Sequence, residues 1–111
     1  MNKIIIKTKG KTLFIAVLDI LFCRAAGAYS VIVLNSGEEI VNSINLLTLK
    51  NRLEPSGIMF RVSQSYLINM IHITCIYHSS KEIELSNTTK VPYTVSLKDL
   101  ELELLKFTKN Y

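Results

Sequence analysis

Cysteine is scarce in this chain of 111 residues, represented only by Cys23 and Cys75. No Cys/His spacing matches a zinc site, and each cysteine lies in an apolar run, Ile20-Leu21-Phe22-Cys23 and Ile73-Thr74-Cys75-Ile76. That placement predicts two small buried residues in a reducing compartment and no disulfide. Glycine is sparse too, and the four present build neither a Gly-x-Ser-x-Gly elbow nor a phosphate-cradling loop. The carboxylates make no acid/base pair: Glu82 and Glu84 fall two apart on one strand face, Glu101 and Glu103 on different sides of a helix. His72 and His78 stand alone, so surface or satisfied, partly buried roles are expected for both. Together these gaps argue against catalysis, a metal centre, a cofactor and a small-molecule substrate.

Long apolar runs are missing as well. Leu13 to Leu18 follows the first lysines but is too short to span a bilayer and stops at Asp19. Arg24 separates it from Ala26-Gly27-Ala28, the small-residue triplet a signal-peptide cleavage site would need. The expected location is the cytoplasm.

Hydrophobic residues make up 49% of the chain, enough for one packed core without disulfides or metal. The expectation is a single domain over 1–111, packed from about 3 to 107. A net charge of +4 permits binding to a polyanion without demanding it. Lys3, Lys7, Lys9 and Lys11 cluster at the start, whereas Glu82, Glu84, Asp99, Glu101 and Glu103 gather late.

Period-two patterning dominates the first forty or so residues. Ile4 to Lys7 and Thr12 to Val17 read as two strands around a Lys/Gly turn. Asp19 to Cys23 is a short extended piece, Arg24 to Ala28 a loop, and Tyr29 to Leu34 and Glu39 to Val41 a hairpin about Asn35-Ser36-Gly37-Glu38. At Ser43 the period changes: Ile44, Leu46, Leu47, Leu49 and Leu53 fit a helix capped by Asn42 or Ser43 and ended by Glu54-Pro55-Ser56-Gly57. Thr74 to Tyr77, Glu82 to Leu85 and Lys90 to Tyr93 are short strands, the last placed at an edge by Pro92. Ser96-Leu97-Lys98-Asp99 has the form of a helix start, followed by an apolar face of Leu97, Leu100, Leu104 and Leu105 through Phe107.

The centre of the chain is Phe60 to Ile73, F-R-V-S-Q-S-Y-L-I-N-M-I-H-I. Phe60, Val62, Tyr66, Ile68, Ile71 and Ile73 alternate loosely with uncharged hydrogen-bonders, which predicts extended chain with one buried face. The stretch resembles the central motif of the LytTR DNA-binding domain, F-x-R-V-H-R-S-Y-L-V-N-x-x-x-I. Arg61-Val62, Ser65-Tyr66-Leu67, Asn69 and Ile73 match, and Ser63-Gln64 stand where His-Arg is common. Gly10 to Ile15, Asp19 to Phe22, Gly27-Ala28-Tyr29, Asn35 to Glu38, Ile44 to Leu53 and Val91 to Thr94 are similar to further pieces of that family in the same order.

The resemblance implies a mainly β, elongated fold of three small antiparallel sheets with two short helices. It also implies a regulator that inserts loops, not a recognition helix, into successive major grooves of duplex DNA, with two copies on a direct-repeat site. Carried onto this chain, the reading loops hold Tyr29 with Arg24, Asn69 with Gln64, and Thr94 to Ser96. Ser65 belongs to the second loop, and Arg61 is expected to point outward toward a phosphate or a surface carboxylate. Asn and Gln amides suit the adenine edge and Arg suits guanine, while hydroxyls and cations hold phosphates. The third loop, Tyr93-Thr94-Val95-Ser96-Leu97, lacks the arginines common there in the family. That departure supports the alternative: a LytTR-fold interaction module that has lost DNA readout and modulates a partner regulator or a membrane protein. Because the likeness starts almost at Met1, no receiver domain is expected. A piece of a longer regulator is the third reading.

Overall fold

The computed structural model describes residues 3–109, so the outer ends of the expected 1–111 domain lie outside the described residues. Its principal extents are 43 × 29 × 23 Å. Among the described residues, ten strands form three antiparallel sheets of two, five and three strands, accompanied by two α-helices.

Strands β1 (Lys3–Thr8) and β2 (Lys11–Ala16) pair as the first hairpin. Alternation buries Ile4 and Ile6 and turns Lys3, Ile5 and Lys7 outward. The central sheet has the order β5-β4-β3-β7-β6, from β3 (Ile20–Ala26), β4 (Tyr29–Leu34), β5 (Glu39–Asn42), β6 (Met59–Arg61) and β7 (Tyr66–Asn69). In β3 the run Ile20 to Cys23 is buried throughout because this middle strand has a core on each face. Neighbouring β4 sends Ile32 to one core and Val31 and Val33 to the other. The third sheet, order β10-β9-β8, comprises β8 (Ile73–Tyr77), β9 (Glu82–Leu85) and β10 (Lys90–Pro92), with Pro92 on an edge strand where its missing N–H costs no ladder bond.

Helix α1 (Leu46–Leu53) packs Leu46, Leu49 and Leu53 with the first hairpin and one face of the central sheet. Its cap is Asn45, whose side chain accepts from the Thr48 N–H at 2.8 Å, and not Asn42 or Ser43. Asn42 is occupied elsewhere: buried, it accepts from the Ile44 N–H and the Ser30 hydroxyl and donates to the Ser30 carbonyl. Helix α2 (Leu97–Thr108) begins as expected, with Ser96 accepting from the Asp99 N–H at 3.0 Å. Leu100 enters the core under the third sheet and Phe107 packs against the other core, so α2 joins the two. Leu105, assigned to the apolar face, is instead exposed.

Three more expectations change. The Arg24 to Ala28 loop shrinks to a two-residue turn, because Arg24 to Ala26 continue β3 against Val31, Ser30 and Tyr29. Gly27 supplies that turn's positive φ of 65° at its first position, as a two-residue hairpin loop requires. Phe60 to Ile73 is not one extended segment but β6, a loop, β7, a 3-10 turn at Met70–His72 and the start of β8. Cys23 is buried as expected, but Cys75 is exposed, since β8 keeps one face open to solvent. Among the described residues every buried side-chain nitrogen and oxygen has a partner. No helix there is long and apolar enough to cross a membrane.

Candidate nucleic-acid interface

The loop between β6 and β7, Val62 to Ser65, is short, polar at its tip and anchored by one fully buried valine, Val62. The Val62 N–H donates to the Tyr66 carbonyl at 3.0 Å, closing the hairpin. Inside it, the Ser63 hydroxyl accepts from the N–H groups of Ser65 and Tyr66 at 3.2 and 3.1 Å, a turn that serine favours. Arg61 completes the frame: its Nε donates to the Ser63 carbonyl at 3.2 Å and its Nη2 to the Gln64 carbonyl at 2.7 Å. The planar guanidinium thus holds two successive carbonyls, which lysine's single ammonium would not do in the same geometry. Gln64 and Ser65 are left with exposed side chains on a braced backbone.

The segment before α2 and the end of β3 both bond to this loop through its carbonyls. Val62 accepts from the N–H groups of both Thr94 and Val95, at 3.0 and 3.2 Å, and Ser65 accepts from the Ala25 N–H at 2.9 Å. The end of β3 that leads into the β3–β4 turn, the central loop and the segment before α2 therefore form one continuous ridge. In the last of these, Tyr93 is buried and donates its hydroxyl to the Tyr77 carbonyl at 3.3 Å, with the Lys81 ammonium 5.6 Å from its ring centroid. Thr94 and Ser96 are exposed, Ser96 with its oxygen engaged as the α2 cap. At the other end Tyr29 is 55% exposed at the start of β4. Arg24, half-buried, pairs with Glu39 at 3.2 Å. That surface pair is worth little energetically, so Arg24 remains available to a competing anion.

The ridge brings together Arg24, Tyr29, Arg61, Gln64, Ser65, Thr94 and Ser96. It does not include Asn69. That residue is fully buried at the far end of β7, donating to the Ile20 carbonyl at 2.9 Å and the Val17 carbonyl at 3.4 Å. Its oxygen accepts from the Ile71 N–H at 3.0 Å, capping the 3-10 turn. Asn69 is thus corrected from a base reader to an internal clamp: its amide has no exposed surface with which to reach a base edge. Closing a turn is a common role for an Asn at a strand end.

Sequence reasoning also missed the part played by Val62 and Ser63, whose contribution is backbone geometry with no charge or motif to signal it. Lys7 and Lys9 were legible as part of a lysine cluster, but only the hairpin places them with Tyr29 along one groove. Among the described residues no group of three or more His, Cys, Asp or Glu side chains could hold a metal ion.

The model of the LytTr DNA-binding domain family matches residues 10–105. Among solved structures, the chain is similar to the LytTr DNA-binding domain of a Bacillus cereus protein described as a methyl-accepting/DNA response regulator. The two share 18% identity and a TM-score of 0.73, over 95% of this chain and 97% of that one, a likeness of fold. No curated protein matches the chain.

Proposed function

The chain belongs to the LytTR DNA-binding domain family, and from that premise we propose that it is a sequence-specific, duplex-DNA-binding transcriptional regulator. In this reading the ridge of loops enters successive major grooves, and two copies occupy a direct-repeat site. The observation that carries it is the joining of the β6–β7 loop, through its Val62 and Ser65 carbonyls, to the segment before α2 and to the end of β3. Side chains on a rigid ridge can be presented to base edges with little ordering cost on binding. Gln64 supplies a bidentate amide suited to adenine, Tyr29 and Thr94 supply hydroxyls, and Arg24 supplies a guanidinium once it leaves Glu39.

A second reading, a protein-interaction module of the same fold, draws on a different observation. Leu97 lines a groove on α2 with Leu102 and Leu105, both about half exposed. Arg24 and Arg61 are meanwhile engaged within the chain.

Titration of the purified domain against a pool of random duplex DNA at two salt concentrations separates the two. Enrichment of one motif, with affinity falling steeply as salt rises, supports the regulator. Gln64→Ala and Thr94→Ala should then relax selection at particular positions. Absence of binding even at low salt would overturn the DNA reading and leave the α2 groove as the surface to pursue.

A further inference from the structure

Four cations outside the ridge share one side of the molecule. Lys7 and Lys9 line a groove with Tyr29 and Val41. Lys7 also lines an adjoining groove with Arg52, and Arg52 lines a third with Lys3. No carboxylate lines any of the three grooves. All four side chains are exposed, and none makes an ion pair among the described residues. The neighbouring acids Glu39 and Glu54 pair with Arg24 and Lys50 instead.

The arrangement follows from the hairpin. Period-two alternation in β1 puts Lys3 and Lys7 on the same outer face, the turn after Thr8 carries Lys9, and α1 brings Arg52 alongside. From Lys3 to Thr8 the strand rises about 17 Å, the axial rise of roughly five base pairs, and Lys9 follows in the turn. An unpaired row of cations of that length matches a polyanion backbone better than a point anion. Its inner end meets Tyr29, the first residue of the ridge.

We propose that Lys3, Arg52, Lys7 and Lys9 form a phosphate rail. It holds the DNA backbone beside the groove entered by the Gly27–Tyr29 turn and extends the contact beyond the three reading loops. This inference rests on the DNA-binding reading. The rail makes no base contact, so it raises affinity and salt dependence for every sequence alike. It also compensates in charge for the arginines that the central and third loops lack.

The test uses the full chain with two probes, the duplex enriched from the random pool and a random-sequence duplex of equal length. The variant Lys7→Gln/Lys9→Gln/Arg52→Gln is compared with Lys106→Gln/Lys109→Gln, which removes exposed charge from the end of α2. Circular dichroism checks that both fold. Three lost phosphate contacts should flatten the slope of log K against log salt by about 2.7 and weaken binding on the order of 100-fold near physiological salt. The loss should be similar for both probes, and the preference for the enriched site should survive. Lys7→Arg/Lys9→Arg should bind as the parent does. Parent-like affinity and slope in the triple variant, with site selection intact, would overturn the rail and leave the regulator reading standing. An equal loss per charge in the α2 variant would also overturn it, reducing the effect to net charge. If the parent binds neither duplex, the regulator reading fails first and the rail with it.

Discussion

The side-chain nitrogen of Asn69 donates to the carbonyl of Ile20 at 2.9 Å, joining positions 49 residues apart at the centre of the fold. The same amide accepts from the Ile71 N–H, so one buried side chain ties β3, β7 and the 3-10 turn leading into the third sheet. A residue type that suits a base edge is here used to tie the central sheet to the turn that leads into the third.

Asn69→Ala should therefore act on stability. It leaves the Ile20 carbonyl without this partner in a buried setting and uncaps the partly buried Ile71 N–H, which should cost about 2–3 kcal/mol in urea unfolding. Asn69→Asp should be comparably damaging, because a carboxylate cannot donate to Ile20. A variant of parental stability that has lost only DNA selection would contradict the clamp and restore Asn69 as a reader.

Arg61 should behave as a brace. Arg61→Lys keeps the charge but loses the forked grip on the Ser63 and Gln64 carbonyls. Amide hydrogen exchange should accelerate in residues 63–66 while global stability falls by only about 1 kcal/mol. Unchanged exchange in that loop would show that the guanidinium does not order it.

The two thiols should differ sharply. Cys75 is exposed, whereas Cys23 has no accessible surface and burial pushes its thiol pKa well up. Under native conditions a thiol reagent should modify one cysteine quickly, the one removed by Cys75→Ser. Cys23 should react only as the protein unfolds. Fast modification of both in the folded protein would mean that the central sheet opens readily.

Tyr77 offers a pH test. Its hydroxyl donates to Glu84 at 2.7 Å, and this hydrogen bond, aided by the carboxylate's charge, pushes its pKa up to about 12 from an ordinary value near 10. Because the folded value is the higher one, the contribution to stability is present below pH 10 and is lost as pH rises through about 12. Ultraviolet titration should show a late-ionising tyrosine component. Tyr77→Phe should remove that component and Glu84→Gln should shift it down. A late component that survives Tyr77→Phe would assign it to another ring.

Much of the fold was legible because it depends on neighbours in sequence. The Tyr29 to Leu34 strand, the turn after it, the paired strands over 74–77 and 82–85 and the Ser96 cap follow from alternation, turn chemistry and capping, all settled within a few residues. The errors arose where a partner came from far away. Arg24 to Ala26 looked like a loop by composition and became strand by pairing with β4. Asn42, a plausible cap locally, was claimed by Ser30 across the sheet.

The site divides the same way. Sequence alone determined the family likeness, the polar residues Ser63 to Ser65 and the early cluster of lysines. Those features reside in residue order and composition. Only the tertiary structure decided that Asn69 turns inward, that Cys75 turns outward, and that the end of β3 at Ala25 and the segments holding Val62 and Thr94 meet in one ridge flanked by a row of cations. Alternation says that a strand has two faces but not what covers each of them. That depends on which strands and helices pack together, and hence on hydrogen bonds and burial between residues dozens of positions apart.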